Sequence, residues 1–211
     1  MSPTTPDPRP LTGEPLALDL LNTRWMRDGV LQDLLTGTDG LAVWLAANGL
    51  DGRFTADEGT LRHVLRARDA LKAAVDGAAA GTAAGHGPAD GADGVDGVDG
   101  VDGVDGVDGV DGVDGVDAVL EHGRIRPVLT PEGPGERAEF ADATWGPAWL
   151  AARNYLELLA TAPDRIRRCA HEACVLHFFD TSRNGTRRWC SMAACGNRAK
   201  ASRHYARTKD A

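Results

Sequence analysis

The chain has 211 residues, 42% of them hydrophobic, and a formal net charge of −8. This length accommodates one domain of modest size and a small additional module. No apolar run approaches the ~18 residues of a membrane-spanning helix, and the first residues lack the apolar core of a secretory signal. We therefore expect a cytoplasmic protein that has no membrane partner.

Proline is frequent at the start of the chain and predicts a flexible N-terminus over residues 1–14. The apolar run that follows contains three polar residues, Asp19, Asn22 and Thr23. The interpretation we favour makes them local caps that bind nearby backbone amides. The alternative is a contact with a small ligand or with a second subunit.

Two helices are predicted in the next segment. Residues 39–48 have a helical apolar face, and Asn48 and Gly49 suit its C-terminal end. Thr55 and Glu58 form a capping box, which predicts a second helix to about Asp76. The apolar faces of the two helices consist of Leu41, Trp44, Leu45, Leu61, Val64, Leu65, Leu71 and Val75.

The tripeptide Val-Asp-Gly repeats seven times without interruption over residues 95–115. A period of three matches neither the α-helix nor the β-strand, and one glycine in three makes regular structure costly. We expect a disordered acidic insert at about 89–118. Weak binding of Ca²⁺ through its carboxylates is possible chemistry for this segment, although the spacing of an EF-hand is absent.

Folded sequence is expected to resume after the repeat. Residues 124–129 and 137–140 flank a turn-rich segment and predict a β-hairpin with a loose loop. Gly146 and Pro147 then begin a helix, since proline is favoured in the first turn. The residues predicted to form its buried side are Trp149, Leu150, Leu156 and Leu159.

All four cysteines lie near the C-terminus in two pairs. The first pair is Cys169 with Cys174, and the second is Cys190 with Cys195. Four soft ligands on two short loops meet the needs of a tetrahedral Zn²⁺, so we predict one structural zinc held by all four. Two disulfides are the alternative, but disulfides belong to oxidising compartments. His171 and His177 lie close by and are interpreted as bystanders.

Two segments resemble known families. Residues 187–200 contain Cys-Gly-Asn-Arg at 195–198 and resemble the CGNR zinc finger. Residues 16–23 are similar to the opening motif of the ABATE domain, which usually precedes this finger and is described as a stress-induced transcription regulator. The resemblance implies an ABATE-like domain over 15–163 and a zinc finger over 164–211, with zinc binding and DNA binding.

The fold class expected is mainly α with a small β-hairpin in the N-terminal domain, followed by a small α+β zinc-binding module at the C-terminus. In that module we expect short strands within 165–169 and 175–179, and a helix over 192–207 capped by Ser191. Asn197 neighbours a ligand, and we expect it to donate to a zinc thiolate rather than to read an adenine edge.

Charge is distributed unevenly. Residues 164–211 hold eleven Lys/Arg and four Asp/Glu, which gives +7, while the rest of the chain holds twelve and twenty-seven, which gives −15. This asymmetry is typical of a nucleic-acid contact, although the basic face could instead dock on the acidic domain. The residues predicted to contact nucleic acid are Arg187, Arg188, Arg198, Lys200, Arg203 and Arg207.

The sequence contains no signature of an enzyme. It has no phosphate loop, no glycine-rich dinucleotide turn and no Ser/His/Asp motif, and four thiolates would leave zinc without an open position. We therefore predict a DNA-binding transcriptional regulator with no enzymatic activity. The alternative is a zinc-stabilised module that binds protein or RNA.

Overall fold

A computed structural model describes residues 6–84 and 112–201 of the chain. The helices are α1 (Leu16–Leu21), α2 (Thr38–Ala47), α3 (Glu58–Ala84), α4 (Gly112–Leu120) and α5 (Gly146–Thr161). The strands are β1 (Arg24–Arg27), β2 (Val30–Asp33), β3 (Gly123–Thr130), β4 (Gly133–Phe140), β5 (Ile166–Arg168) and β6 (His177–Phe179). Each odd-numbered strand pairs with the next in an antiparallel two-stranded sheet. None of the described helices is long and apolar enough to cross a membrane.

Helices α1, α3, α4 and α5 pack against one another around the main core. Helical spacing places Val64 and Leu71 of α3 in that core, and Trp44 of α2 is fully buried beside them. The apolar faces predicted for α2 and α3 are therefore correct, apart from Leu65, which is half-buried. This packing supports the expectation of a mainly helical N-terminal domain.

The buried face of α5 differs from the prediction. Ala148, Ala151, Ala152 and Tyr155 are buried at helical spacing, whereas Leu156 is 44% exposed. Small alanine side chains let α1 and α3 approach α5 closely, so the larger leucine lies on the outer side. Of the four predicted residues, Trp149 is buried and Leu150 and Leu159 are half-buried, so the prediction is wrong for Leu156 alone.

Helix α3 begins and ends differently from the prediction. Asp57 caps it, because its Oδ1 accepts a hydrogen bond of 2.8 Å from the backbone nitrogen of Thr60. Thr55 was expected in this position. The helix continues to Ala84, eight residues beyond the predicted end at Asp76.

The sequence analysis missed the hairpin of β1 and β2. Asp28 and Gly29 connect these strands with φ angles of 51° and 78°, which is the left-handed backbone of a tight hairpin turn. In the predicted hairpin of β3 and β4, Thr130 pairs with Gly133, so two residues form the loop. The loop is therefore tight, and the expectation of a loose one was wrong.

The last part of the acidic repeat is helical. Helix α4 places Val116 and Val119 in the core, at 4% and 0% exposure. The disordered insert predicted over 89–118 is therefore wrong for 112–118, because three-residue spacing keeps these two valines on one face over a short helix. Residues 89–111 lie outside the described part of the chain.

The N-terminal segment is folded from residue 6 onwards. The side chain of Arg9 is buried and forms ion pairs of 2.7 Å with both Asp7 and Asp19. A buried guanidinium requires such partners, so this segment is fixed on the domain. The flexible N-terminus predicted for 1–14 is wrong for 6–14, and residues 1–5 lie outside the described residues.

Candidate metal centre and nucleic-acid interface

Strands β5 and β6 position the first pair of cysteines. Cys169 directly follows β5, and its backbone nitrogen donates to the carbonyl of Leu176 at 2.9 Å, which extends the strand pairing. Cys174 donates its backbone hydrogen to the carbonyl of His171 at 2.9 Å and closes a turn between the two cysteines. The predicted strand pair is therefore correct, and it brings both thiols to one end of the sheet.

A short helical turn positions the second pair. Cys190 precedes this turn (Met192–Gly196), and Cys195 lies within it. The hydroxyl of Ser191 accepts a hydrogen bond from the backbone nitrogen of Ala194, which confirms Ser191 as the N-cap. Helical backbone continues to residue 201, the last described position, so the rest of the predicted helix lies outside the described residues.

The four sulfur atoms lie within 4.8 Å of one another, and all four side chains are buried. The Sγ of Cys190 lies 3.9 Å from that of Cys174 and 3.6 Å from that of Cys195. Tetrahedral zinc with Zn–S bonds of about 2.3 Å has sulfur–sulfur edges of about 3.8 Å. The cluster therefore has the size of a ZnS₄ site, whereas disulfides would require sulfur atoms about 2 Å apart.

The protonation of the thiols also favours a cation. Hydrogen bonds from Cys174 and then Cys190 hold the pKa of Cys169 well below that of an ordinary thiol. The hydrogen bonds of Cys190 with Cys169 and then Cys174, followed by burial, raise the pKa of Cys190 above its ordinary value. Without a cation, one thiolate thus opposes the formation of others. A bound Zn²⁺ removes this opposition because it stabilises every thiolate it coordinates.

Two donors approach the sulfur atoms. The backbone nitrogen of Cys190 lies 3.4 Å from the Sγ of Cys169, and the Nη2 of Arg198 lies 3.6 Å from the Sγ of Cys195. These contacts stabilise thiolate charge around the metal. Asn197, predicted for this role, is exposed and forms no hydrogen bond with a cysteine sulfur within the described residues.

Neither neighbouring histidine joins the cluster. His171 accepts a hydrogen bond from the backbone nitrogen of Ala173 through Nδ1, at 3.2 Å. The ring of His177 is buried, and its strand directs it away from the thiols. Among the described residues, the group that could hold a metal consists of the four cysteines alone.

The finger is docked on the N-terminal domain through strand β6. The side chain of Asn22 donates to the carbonyl of His177 and accepts from its backbone nitrogen, both at 2.9 Å. Glu14 accepts from the backbone nitrogen of Phe179 at 2.9 Å, and Phe178 between them is fully buried. These contacts give the two parts a continuous interior.

The polar residues of the opening motif connect distant segments. Asp19 accepts hydrogen bonds from Arg9 at 2.7 Å and from Asn48 at 3.0 Å. The hydroxyl of Thr23 donates locally to the carbonyl three residues earlier and contacts Arg68 of α3 at 2.9 Å. Asp19 also accepts a hydrogen bond from the backbone nitrogen of Gly13 at 3.1 Å. The favoured interpretation as local caps therefore holds for one bond each of Asp19 and Thr23 and is wrong for Asn22.

Arg187, predicted to contact nucleic acid, is bound within the protein. Its guanidinium donates to the carbonyls of Trp189 and Cys190 and lies 4.2 Å from the centre of the Phe178 ring. It also lies 3.5 Å from a carboxylate oxygen of Glu14. Most of its hydrogen-bonding capacity is thus occupied by the finger and the N-terminal domain.

Other cations of the finger face solvent. Arg188 stacks on the exposed side of Trp189, with its guanidinium 5.3 Å from the ring centre. Arg203 and Arg207, also predicted, lie outside the described residues. Arg183 was not predicted, although its position in a polar turn gave a signal of exposure. Within the described part of the finger, the exposed cations that form no ion pair are Arg168, Arg183, Arg188, Arg198 and Lys200.

A groove of about 450 Å³ runs beside Arg188. Its walls carry three hydroxyl groups, from Ser182, Thr186 and Ser191, and the aromatic ring of Trp189. Hydroxyls and arginines of this kind are common donors to phosphate oxygens. The groove thus combines hydroxyl donors, positive charge and an aromatic surface.

Comparison with known protein families agrees with both parts of the structure. Residues 165–208 match the model of the CGNR zinc finger. Residues 14–162 match the model of the ABATE family, whose description is "Putative stress-induced transcription regulator". No curated protein matches the chain at a significant level. The chain therefore belongs to the ABATE family and carries a C-terminal CGNR zinc finger, in which four cysteines hold one structural Zn²⁺.

Proposed function

We propose that the protein is a DNA-binding transcriptional regulator of the cytoplasm, and that its zinc finger makes the contact with nucleic acid. The observation that carries this proposal is the set of exposed cations, chiefly Arg183, Arg188 and Lys200, that form no ion pair within the described residues. They belong to a module of net charge +7 in a chain of net charge −8. Such an asymmetry is the electrostatic footprint of a nucleic-acid contact.

The mode of docking favours this proposal over an intramolecular role for the basic face. If the finger used its cations to dock on the acidic domain, those side chains would be buried against carboxylates. The contacts between the two parts instead involve the backbone of β6, held by Asn22 and Glu14. Among the predicted cations that the structure describes, Arg187 alone pairs with a carboxylate of the N-terminal domain, which leaves Arg188, Arg198 and Lys200 available to phosphate.

The expected contact is mainly electrostatic. Lysine and arginine side chains that neutralise phosphates release bound counterions, and this release supplies most of the sequence-independent affinity. The groove beside Arg188 adds three hydroxyl donors and the face of Trp189. Few of these groups are of the type that reads base edges, so specificity requires a further contribution, such as a second copy of the chain on an adjacent site.

We assign no catalytic role to the zinc. Catalytic zinc sites keep a position open for water or substrate, whereas four buried thiolates complete the tetrahedron. The metal instead fixes the loop that carries Arg188 and the helical segment that carries Lys200. Four free thiols also fit a reducing compartment such as the cytoplasm, where disulfides are rare.

The test uses the full-length zinc-loaded protein, because the finger shares its interior with the N-terminal domain. We replace Arg183, Arg188 and Lys200 together by alanine and measure binding to duplex DNA over a range of salt concentrations. Loss of about three phosphate contacts should lower the slope of log K against log salt by about 2–3. Zinc content should not change, since none of the three residues approaches a sulfur atom.

A second triple variant provides a matched control. Arg27, Arg62 and Arg137 are exposed arginines of the N-terminal domain, so their replacement by alanine changes the net charge equally. This control should leave the salt slope within about 0.5 of wild type. Equal effects of the two variants would mean that the finger affects DNA binding only through its net charge and does not form the contact. Preference for structured RNA, or intact DNA binding in the first variant, would favour the RNA- or protein-binding alternative.

A further inference from the structure

A cleft of about 780 Å³ opens where the N-terminal domain meets the finger. Small-molecule sites in proteins commonly have volumes of about 300–1,000 Å³ and mainly apolar walls. Helix α3 contributes Val75, helix α5 contributes Tyr155 and Leu159, and strand β5 contributes Ile166 to this cleft. It therefore has the size and the apolar lining of a ligand site, and both domains form it.

His177 gives the cleft a polar centre. Its side chain lines the cleft, the residue is 5% exposed, and neither ring nitrogen has a hydrogen-bond partner. Buried polar groups without partners are rare and costly, so this ring calls for a partner from outside the described residues. Asn22 holds the backbone of His177 on both sides, which fixes the position of the imidazole.

A cation lies next to this imidazole. Arg168 on β5 is directly opposite His177 on β6 in the antiparallel register, so the two side chains share one face of the sheet. Both line the cleft, and Arg168 forms no ion pair within the described residues. The side-by-side placement of an imidazole and a guanidinium matches the two oxygens of a carboxylate.

Two carboxylates also lie at the cleft, and neither prevents the binding of an anion. Asp76 of α3 is paired with Lys72, which neutralises its charge. Asp164 is exposed to solvent, where water and salt screen its charge. The remaining lining is mostly apolar, so it favours a ligand whose body is an aromatic or aliphatic group.

We propose that this cleft binds a small organic carboxylate with an apolar body, whose carboxylate contacts His177 and Arg168 while its body lies between α3 and α5. Such a ligand touches the N-terminal domain and the finger at once, and it therefore stabilises their docking. This site is separate from the exposed cations proposed to contact DNA, and it is tested without any nucleic acid.

The first measurement needs no variant. We titrate the full-length zinc-loaded protein with 2-naphthoate and with 2-naphthol, which share an aromatic body but differ in charge. We expect saturable 1:1 binding of 2-naphthoate below about 1 mM, and at least tenfold weaker binding of 2-naphthol. Histidine ring ¹⁵N resonances should show one perturbed imidazole, which His177→Phe assigns by removing it.

Variants of the cleft then locate the site. Arg168→Met keeps an unbranched apolar stem but removes the charged guanidinium, so it should weaken 2-naphthoate about tenfold and leave 2-naphthol unchanged. Arg137→Met, an exposed arginine of β4 far from the cleft, is the matched control and should change neither. Leu159→Trp fills the cleft and should abolish binding of both compounds. Zinc content and the melting temperature report whether each variant is folded.

Several outcomes would overturn the proposal. They are the absence of saturable binding in wild type, equal affinity for the two compounds, and unperturbed histidine resonances. A folded Leu159→Trp variant that still binds would place the site elsewhere. Binding that appears only after deletion of residues 89–111 would show that the chain itself occupies the cleft. The titration of wild type tests the proposal even if the variants fail to fold.

Discussion

The N-terminal domain and the finger bury very different interiors. The domain packs four helices around large apolar side chains, with Trp44, Leu18 and Leu71 at or near zero exposure. Within the described part of the finger, the buried apolar residues are Phe178, Leu176 and the four cysteines. A core this small does not hold a fold alone, so the finger depends on its metal and on the surface against which it docks.

The two parts also use buried polar groups differently. In the domain, ion pairs such as Arg68 with Asp33 join helix α3 to the β1–β2 hairpin, and the guanidinium beside Asp33 helps to keep the pKa of that carboxyl low despite its burial. The finger has its own buried carboxylate, Asp180, which accepts from the backbone nitrogens of Ser182 and Arg187 at 2.9 Å. It also depends on Asn22 of the domain, which binds the backbone of His177. The domain is thus stabilised by its own contacts, whereas the finger is stabilised in part by its contacts with the domain.

Of the changes considered, removal of zinc should separate the stabilities of the finger and the domain most strongly. Cys190→Ser, or a chelator of high affinity, should unfold the finger and leave the helical domain folded. Structural zinc contributes on the order of 10 kcal/mol to small modules. Hydrogen exchange measures the effect region by region. We expect loss of amide protection at 166–196 with retained protection at 61–75. Simultaneous loss in both regions would mean that the two parts fold as one unit.

The docking contact should have the next largest effect. Asn22→Ala leaves the buried N–H and C=O of His177 unpaired, which should lower the free energy of unfolding of the finger by about 3 kcal/mol. Asn184→Ala, in an exposed turn of the finger, is the matched control and should change it by less than about 0.5 kcal/mol. Hydrogen exchange of the finger amides at 166–196, measured as a function of denaturant, gives both values. Similar values would mean that the contact does not stabilise the finger.

Two valines, each preceded by Gly and followed by Asp, test where the acidic repeat ends and the packed domain resumes. Val116 is 4% exposed and Val113 is 75% exposed, although each precedes Asp. Val116→Ala should lower the free energy of unfolding of the domain by about 2 kcal/mol, since two buried methyl groups are lost. Val113→Ala should have almost no effect. Thermal unfolding distinguishes these outcomes, and equal melting temperatures would contradict the burial of Val116.

The local features of both parts were accessible from the sequence. The spacing of the four cysteines predicted the metal ligands, because each pair lies on one short loop. The apolar periodicity of α2 and α3 predicted their buried faces. The hairpin at Asp28 and Gly29 also had its signal, since this dipeptide favours a tight turn between strands. The information needed to predict this hairpin was therefore present in the local sequence.

Contacts between distant segments could not be predicted in this way. Asn22 and His177 are 155 residues apart, and no local pattern connects them. Arg187 and Arg188 are adjacent and chemically identical, yet one is bound inside the finger and the other is exposed. Val113 and Val116 likewise have the same immediate neighbours in the sequence but differ in burial. In each case the tertiary structure decides the role, because composition and periodicity give both residues the same description.

The smallest effect that we predict is a dependence on pH through His177. Burial lowers the pKa of this imidazole from about 6.5 to about 4; Asp76 opposes the shift, while Arg168 and Lys72 add to it. The folded state therefore favours the neutral ring. The stability that the neutral ring contributes is complete above about pH 6.5 and is lost as the pH falls towards 4.

Between pH 6.5 and 5.5, the free energy of unfolding of wild type should fall by about 1 kcal/mol more than that of His177→Phe, which cannot titrate. Urea unfolding at both pH values, with zinc content checked at each, measures the difference. Equal losses in the two proteins would mean that the imidazole titrates normally and is therefore accessible to water in the cleft.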